Sequence, residues 1–94
     1  MDVIDLNAEI YNDLCLKLNA ELKILAGKMG YTIKQANYFM GKNDPVDALL
    51  MYWAKKDGND VPKLITILEE MGKDDIVKVL KNSVKNYGSP TSGN

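Results

Sequence analysis

Residues 44–72 read DPVDALLMYWAKKDGNDVPKLITILEEMG, and this stretch decides the fold class. Asp44-Pro45 is a helix start: a carboxylate in the capping position, then a proline at the first helical position, where its missing N–H is not needed and its φ is already helical. Leu49, Leu50 and Trp53 share one apolar arc, with Met51 and Tyr52 turned toward the polar side, where they read as core rather than as contact anchors. The helix should run to about Lys56 and stop before Asp57-Gly58-Asn59, a turn-forming cluster. Asp60 then caps a second helix whose first turn tolerates Pro62. Leu64, Ile67, Leu68 and Met71 step along one face of it, and Gly72 ends it.

The same periodicity extends outward in both directions. Between Asp5 and Leu18 the apolar residues Leu6, Ile10, Leu14 and Leu18 recur every four positions, which lines one face of a helix. Asn19 is placed to start a short helix, Glu21 to Met29, closed by Gly30. Thr32 is placed to cap a third, Ile33 to Met40, with Gly41 beyond it. Past Gly72, Lys73 or Asp74 opens a last helix with Ile76, Val77 and Leu80 on its apolar edge. Residues 86–94 (Asn-Tyr-Gly-Ser-Pro-Thr-Ser-Gly-Asn) should form a flexible C-terminal tail, so the expected domain is 1–85. Six short helices on short connections imply an all-α antiparallel bundle.

Composition narrows the chemistry. The chain has 94 residues, 12 lysines and no arginine, 13 carboxylates, no histidine and a formal charge of −1. That length suits one domain with one core. No imidazole is available as base or metal ligand, so no cofactor, metal site or enzymatic activity is expected. Without arginine and near neutrality, nucleic acid is not the expected partner. No apolar run is long enough to cross a membrane and no signal peptide is visible. The single Cys15 fits a reducing compartment, and with no histidine to activate it, it reads as a packing or surface residue. Glu69-Glu70 diverge by about 100° on a helix and cannot flank one bond, so they read as solvated. The glycines at 27, 30, 41, 58 and 72 fall at turns or helix ends in this reading, and none belongs to a phosphate-cradling motif.

In order along the chain, several fragments resemble the death domain, a six-helix Greek-key bundle. Glu21-Leu22-Lys23-Ile24-Leu25-Ala26 followed by Met29-Gly30 is similar to that family's second helix, with Leu22 where tryptophan is usual. Pro45, Leu49-Leu50 and Trp53 are similar to its fourth, and Leu64, Leu68, Met71-Gly72 and Asp75-Ile76-Val77 to its fifth and sixth. Leu18-Asn19-Ala20, Asn37-Tyr38-Phe39, Asp57-Gly58 and Leu68-Glu69-Glu70-Met71-Gly72-Lys73 most resemble the death domains of netrin receptors. The family's familiar arginines are absent, which leaves charge contacts to lysine.

The resemblance implies a cytoplasmic adaptor that binds other death domains in signalling such as apoptosis, with possible head-to-tail oligomers and no membrane contact of its own. It also implies a contact in which helices one and four of one domain meet helices two and three of the next. Charge is segregated along the chain in a way that suits this. From Met1 to Glu21 one lysine stands against five carboxylates, a balance of −4; from Leu22 to Asn43 four lysines stand with no carboxylate, +4. Asp2, Asp5, Glu9 and Asp13 fall in one stripe of a helical wheel. The acidic side would be Asp5, Glu9 and Asp13 with Asp47, and the basic side Lys23, Lys28 and Lys34. A second surface would set Lys55 and Lys56 against Asp74 and Asp75. The plainer reading is a solvated face, with Asp44, Asp60, Asp74, Lys28, Lys56 and Lys81 complementing helix dipoles. A small nucleic-acid-binding bundle on residues 22–43, or an autoinhibitory domain of a larger protein, stay open as alternatives.

Overall fold

The computed structural model describes residues 1–87. Among them the regular structure is entirely helical: α1 Ala8–Leu18, α2 Leu22–Lys28, α3 Ile33–Met40, α4 Pro45–Ala54, α5 Val61–Glu70 and α6 Asp74–Asn86, with 3-10 turns at Val3–Asp5 and Asn19–Glu21. The six-helix all-α bundle is as expected. α6 continues one residue past the expected boundary, through Asn86. Residues 88–94 of the expected tail lie outside the described residues.

The first expected helix is two pieces. Leu6 and Asn7 are extended, and the Asn7 side chain accepts from the backbone N–H of Glu9 and Ile10, so α1 begins afresh at Ala8. An asparagine oxygen that satisfies two orphan N–H groups outcompetes continuation of the preceding turn. Asn19 is not a side-chain cap; it closes α1 with helical backbone angles and enters the 3-10 turn. Asp44 stands at the capping position of α4 without a side-chain capping bond, so Pro45 carries that start. α4 also stops at Ala54, short of Lys56. Gly27 is inside α2 rather than at its end.

The other expected caps form. Thr32 accepts from Gln35 N–H while the Gln35 side chain accepts from Thr32 N–H at 2.9 Å, a reciprocal box, and Asp60 accepts from Lys63 N–H. Gly30 and Gly72 have φ of 93° and 71°, the left-handed conformation that closes α2 and α5. In both cases two N–H groups turn back on the helix: Gly30 to Gly27 and Tyr31 to Ala26, Gly72 to Glu69 and Lys73 to Leu68, each at 3.0 Å.

α4 is the central strut. Val46, Leu49, Leu50 and Trp53 are all buried on it, and it packs against α1, α2, α3 and the first 3-10 turn. α2 also meets α3 and α5, and α5 lies along α6. Leu14, Leu18, Leu25, Leu64, Leu68 and Leu80 complete the core, and Leu22 is buried in the position where the resemblance leads one to expect tryptophan. The N-terminus is part of the fold. Val3 is buried and Val61 N–H donates to the Met1 carbonyl at 2.9 Å, which ties the chain start to α5.

Candidate functional site

The α1–α4 side carries four expected acidic contacts, and the break at Asn7 sorts them. Asp2 caps the 3-10 turn and Asp5 ends it, neither belonging to α1, so the single-wheel stripe of Asp2, Asp5, Glu9 and Asp13 does not exist as one helical face. Asp5 Oδ2 accepts from Asp2 N–H and from the Tyr87 hydroxyl, each at 3.2 Å. The bond to Asp5 holds the Tyr87 hydroxyl's pKa above its ordinary value. Asp13 pairs with Lys17 at 3.0 Å one turn along α1. Asp47 is half-buried and accepts from the Tyr11 hydroxyl at 2.5 Å. Glu9 is exposed and has no ionic partner among the described residues. Below these carboxylates runs an apolar groove of about 280 Å³ lined by Val3, Ile4, Leu6, Ala8, Tyr11 and Met51.

On the α2–α3 side Lys23, Lys28 and Lys34 are all exposed. Lys28 reaches Glu70 at 3.6 Å, whereas Lys23 and Lys34 have no ionic partner among the described residues. Lys23 and Ile33 line a small cleft with Gly27, Tyr31, Thr32 and Ala36. Two features here lay outside the reading of the sequence. Ile33 is 78% exposed and Leu16, in the middle of the outer face of α1, equally so. Leu16 could have been found, because it falls opposite Ile10, Leu14 and Leu18 on the wheel. Ile33 opens α3, where periodicity has too few residues to declare a face.

At the second expected surface, Lys55 and Lys56 are exposed and share an open groove with Tyr31 and Tyr52. Met51 is half-buried against the core as read, but Tyr52 is 51% exposed. Its ring meets Phe39 at 5.5 Å and Tyr31 at 5.9 Å between centroids, and burial, then Tyr52, raises the pKa of the Tyr31 hydroxyl. Asp74 and Asp75 stand exposed in the first turn of α6 and complement its dipole. Lys81 does not serve a helix end: it lies mid-α6 and pairs with Glu69 at 2.9 Å. Glu69 and Glu70 are therefore both engaged, on α6 and α2 respectively, rather than simply solvated. Lys73 likewise pairs with Glu21, joining the α5–α6 turn to the start of α2.

Cys15 is buried, and that burial pushes its thiol up to about 11, against a lowering hydrogen bond with Tyr11. A thiol so shifted is a poor nucleophile. Among the described residues no three His, Cys, Asp or Glu side chains gather to hold a metal, and no helix is long and apolar enough to cross a membrane. The described surface carries exposed aliphatics, an apolar groove and unpaired charges of both signs. The family model described as Death domain matches residues 10–84, from α1 into α6. No solved structure matches the chain.

Proposed function

The chain belongs to the death-domain family, whose members are protein–protein interaction modules in signalling rather than enzymes, and from that premise we propose that it docks to other death domains, homotypically or heterotypically, in head-to-tail assemblies. The observation that carries this reading is the separation of uncompensated charge. Glu9 on α1 and Lys23 and Lys34 on α2 and α3 have no internal ionic partner among the described residues, and α1 packs with α4 while α2 packs with α3. Two unlike faces of opposite sign favour a heterologous contact, which repeats into a ring or open helix rather than closing as a twofold dimer. Charge of this kind speeds encounter and sets register more than it adds affinity.

Within this proposal Asp5, Glu9 and Asp13, with Asp47 behind them, form the acidic face and Lys23, Lys28 and Lys34 the basic one. Lys55 and Lys56 with Asp74 and Asp75 form a second contact. Residues 1–86 make up the working domain, in a cytoplasmic adaptor or receptor tail. The fragments that resemble netrin-receptor death domains make that branch our preferred placement, with apoptotic or receptor signalling as the setting.

Light scattering on the chain tests the reading. Self-association should weaken as salt rises to about 0.5 M, where screening shortens to roughly 4 Å. Reversal of two lysines of the basic face, Lys23→Glu with Lys34→Glu, should weaken association at least tenfold while circular dichroism is unchanged. Full binding after that reversal removes the α2–α3 face from the proposal.

A further inference from the structure

We propose that Tyr87 is a phosphorylation site for a protein-tyrosine kinase, and that the phosphoryl group it takes releases α6 from the N-terminal turn. The Tyr87 hydroxyl donates to Asp5 Oδ2 at 3.2 Å, a bond between residues 82 positions apart. The same carboxylate oxygen accepts from Asp2 N–H at 3.2 Å, so one acceptor joins the end of α6 to the turn that seats the buried Val3. The inference is independent of whether the chain self-associates.

Geometry singles out this tyrosine. A kinase must bring the phenolic oxygen in line with the γ-phosphorus of ATP and set a base on its proton, so the side chain has to leave the protein surface and enter a cleft. Tyr11 is half-buried and bonded to Asp47, and Tyr31 is half-buried with its ring against Phe39 and Tyr52. Tyr38 and Tyr52 are 62% and 51% exposed, but each stands within a helix and leans on another ring: Tyr38 on Phe39 at 5.4 Å, with Lys42 4.4 Å from its own centroid, and Tyr52 on Phe39 at 5.5 Å. Withdrawing either one breaks those contacts and helical hydrogen bonds. Tyr87 is 52% exposed, meets no other ring among the described residues, and closes α6 with extended backbone, φ −69° and ψ 129°. Gly88 and Ser89, next in sequence, are small. The bond to Asp5 and the Tyr87 N–H, turned back to the Ser83 carbonyl at 3.0 Å, hold it in place.

The chemistry turns this bond into a repulsion. In the transfer the kinase's base takes the phenolic proton, the phenolic oxygen attacks the γ-phosphorus, and ADP leaves. Asp5 thereby loses its donor and faces a group of charge about −1.5 to −2 instead. Asp2 and the negative end of the α6 dipole act in the same direction. Lys85, the basic residue of the last turn, stands two positions back, on the far side of the helix from Tyr87. The N-terminal turn, closed by Asp5 N–H on the Asp2 carbonyl and Leu6 N–H on the Val3 carbonyl, then opens more often.

The test uses the folded chain, ATP and a tyrosine-kinase domain chosen because it phosphorylates synthetic peptides 33–43, 47–57 and 82–92 at similar rates. Mass spectrometry should find phosphate on Tyr87 of the folded chain at least tenfold sooner than on Tyr38 or Tyr52, and Tyr87→Phe should remove that early uptake. Equal rates at the three tyrosines, or a folded chain that takes no phosphate, overturn the site. Hydrogen exchange at the Asp5 and Leu6 amides should be at least tenfold faster in the phosphorylated chain than in the parent. Tyr87→Phe loses the bond without adding charge and should fall between the two. Exchange unchanged by the phosphate overturns the release.

Discussion

The Tyr11 hydroxyl on α1 donates to Asp47 Oδ1 on α4 at 2.5 Å, across the helix pair that frames the acidic face. One carboxylate of that face is thus committed to the fold, and its charge is partly used inside the molecule. Desolvation, then the bond to Asp47, raises the Tyr11 hydroxyl's pKa far above its ordinary value.

Removing the donor tests what this bond contributes. Tyr11→Phe leaves Asp47 half-buried without its partner and should cost about 1–3 kcal/mol in urea unfolding. Asp47→Asn keeps an acceptor and should cost less than Asp47→Ala. Equal losses from the two Asp47 variants would show that the hydroxyl does not depend on that acceptor.

Stability should fall at alkaline pH, and the sign follows from the thiol. Burial raises Cys15 from 9.0 to about 11, so the folded chain holds that proton more tightly than the unfolded one. The contribution is complete below the ordinary thiol value and is lost as pH climbs from 9 to about 11. Tyr11 is shifted in the same direction. Unfolding midpoints measured across this window should drop, and Cys15→Ala should flatten part of the slope. A midpoint that rises with pH would contradict the assignment.

Trp53 and Asn59 form one structural unit at the end of α4. Trp53 is 2% exposed, and its carbonyl accepts from Asn59 Nδ2 at 3.0 Å, while Asn59 N–H donates to the Lys56 carbonyl. Trp53→Ala should cost about 3–5 kcal/mol. Asn59→Ala leaves the Trp53 carbonyl only the backbone N–H of Lys56, at 3.3 Å, and should cost about 0.5–1.5 kcal/mol. Thermal melts of the two variants are the measurement. A neutral Asn59→Ala would mean that the Lys56 N–H satisfies the Trp53 carbonyl by itself.

Two glycines should respond to alanine with opposite signs. Gly72 has φ of 71°, so a Cβ there is strained and Gly72→Ala should destabilise by about 1–2 kcal/mol. Gly27 is helical, a methyl group added there would meet nothing within 4 Å, and Gly27→Ala should stabilise by about 0.5–1 kcal/mol. Chemical denaturation of the pair reads both. Parallel shifts would refute the conformational argument.

The helices were legible because their signals are local. Thr32 with Gln35, Asp60 with Lys63, Pro45, Gly30 and Gly72 act within a few residues of themselves, and apolar spacing needs only a helix's own period. Where local signals compete, reading fails. Leu6 continues the four-residue step, yet Asn7 offers two capping bonds, and the break that follows divides the acidic stripe.

The all-α class, the helix order and the family fragments were thus determined by the sequence itself, since each follows from bonds and faces within one helix. Only the tertiary structure decided which charges are spent and which are available. Asp47 is claimed by Tyr11, Lys28 and Lys81 by α5, and Glu21 by Lys73, while Glu9, Lys23 and Lys34 are among the charges without an ionic partner among the described residues. Partners as far apart as Tyr11 and Asp47 meet only when helices pack, and no periodicity encodes that meeting. The same holds for the groove: Val3, Tyr11 and Met51 become its walls because the chain start is folded onto α4.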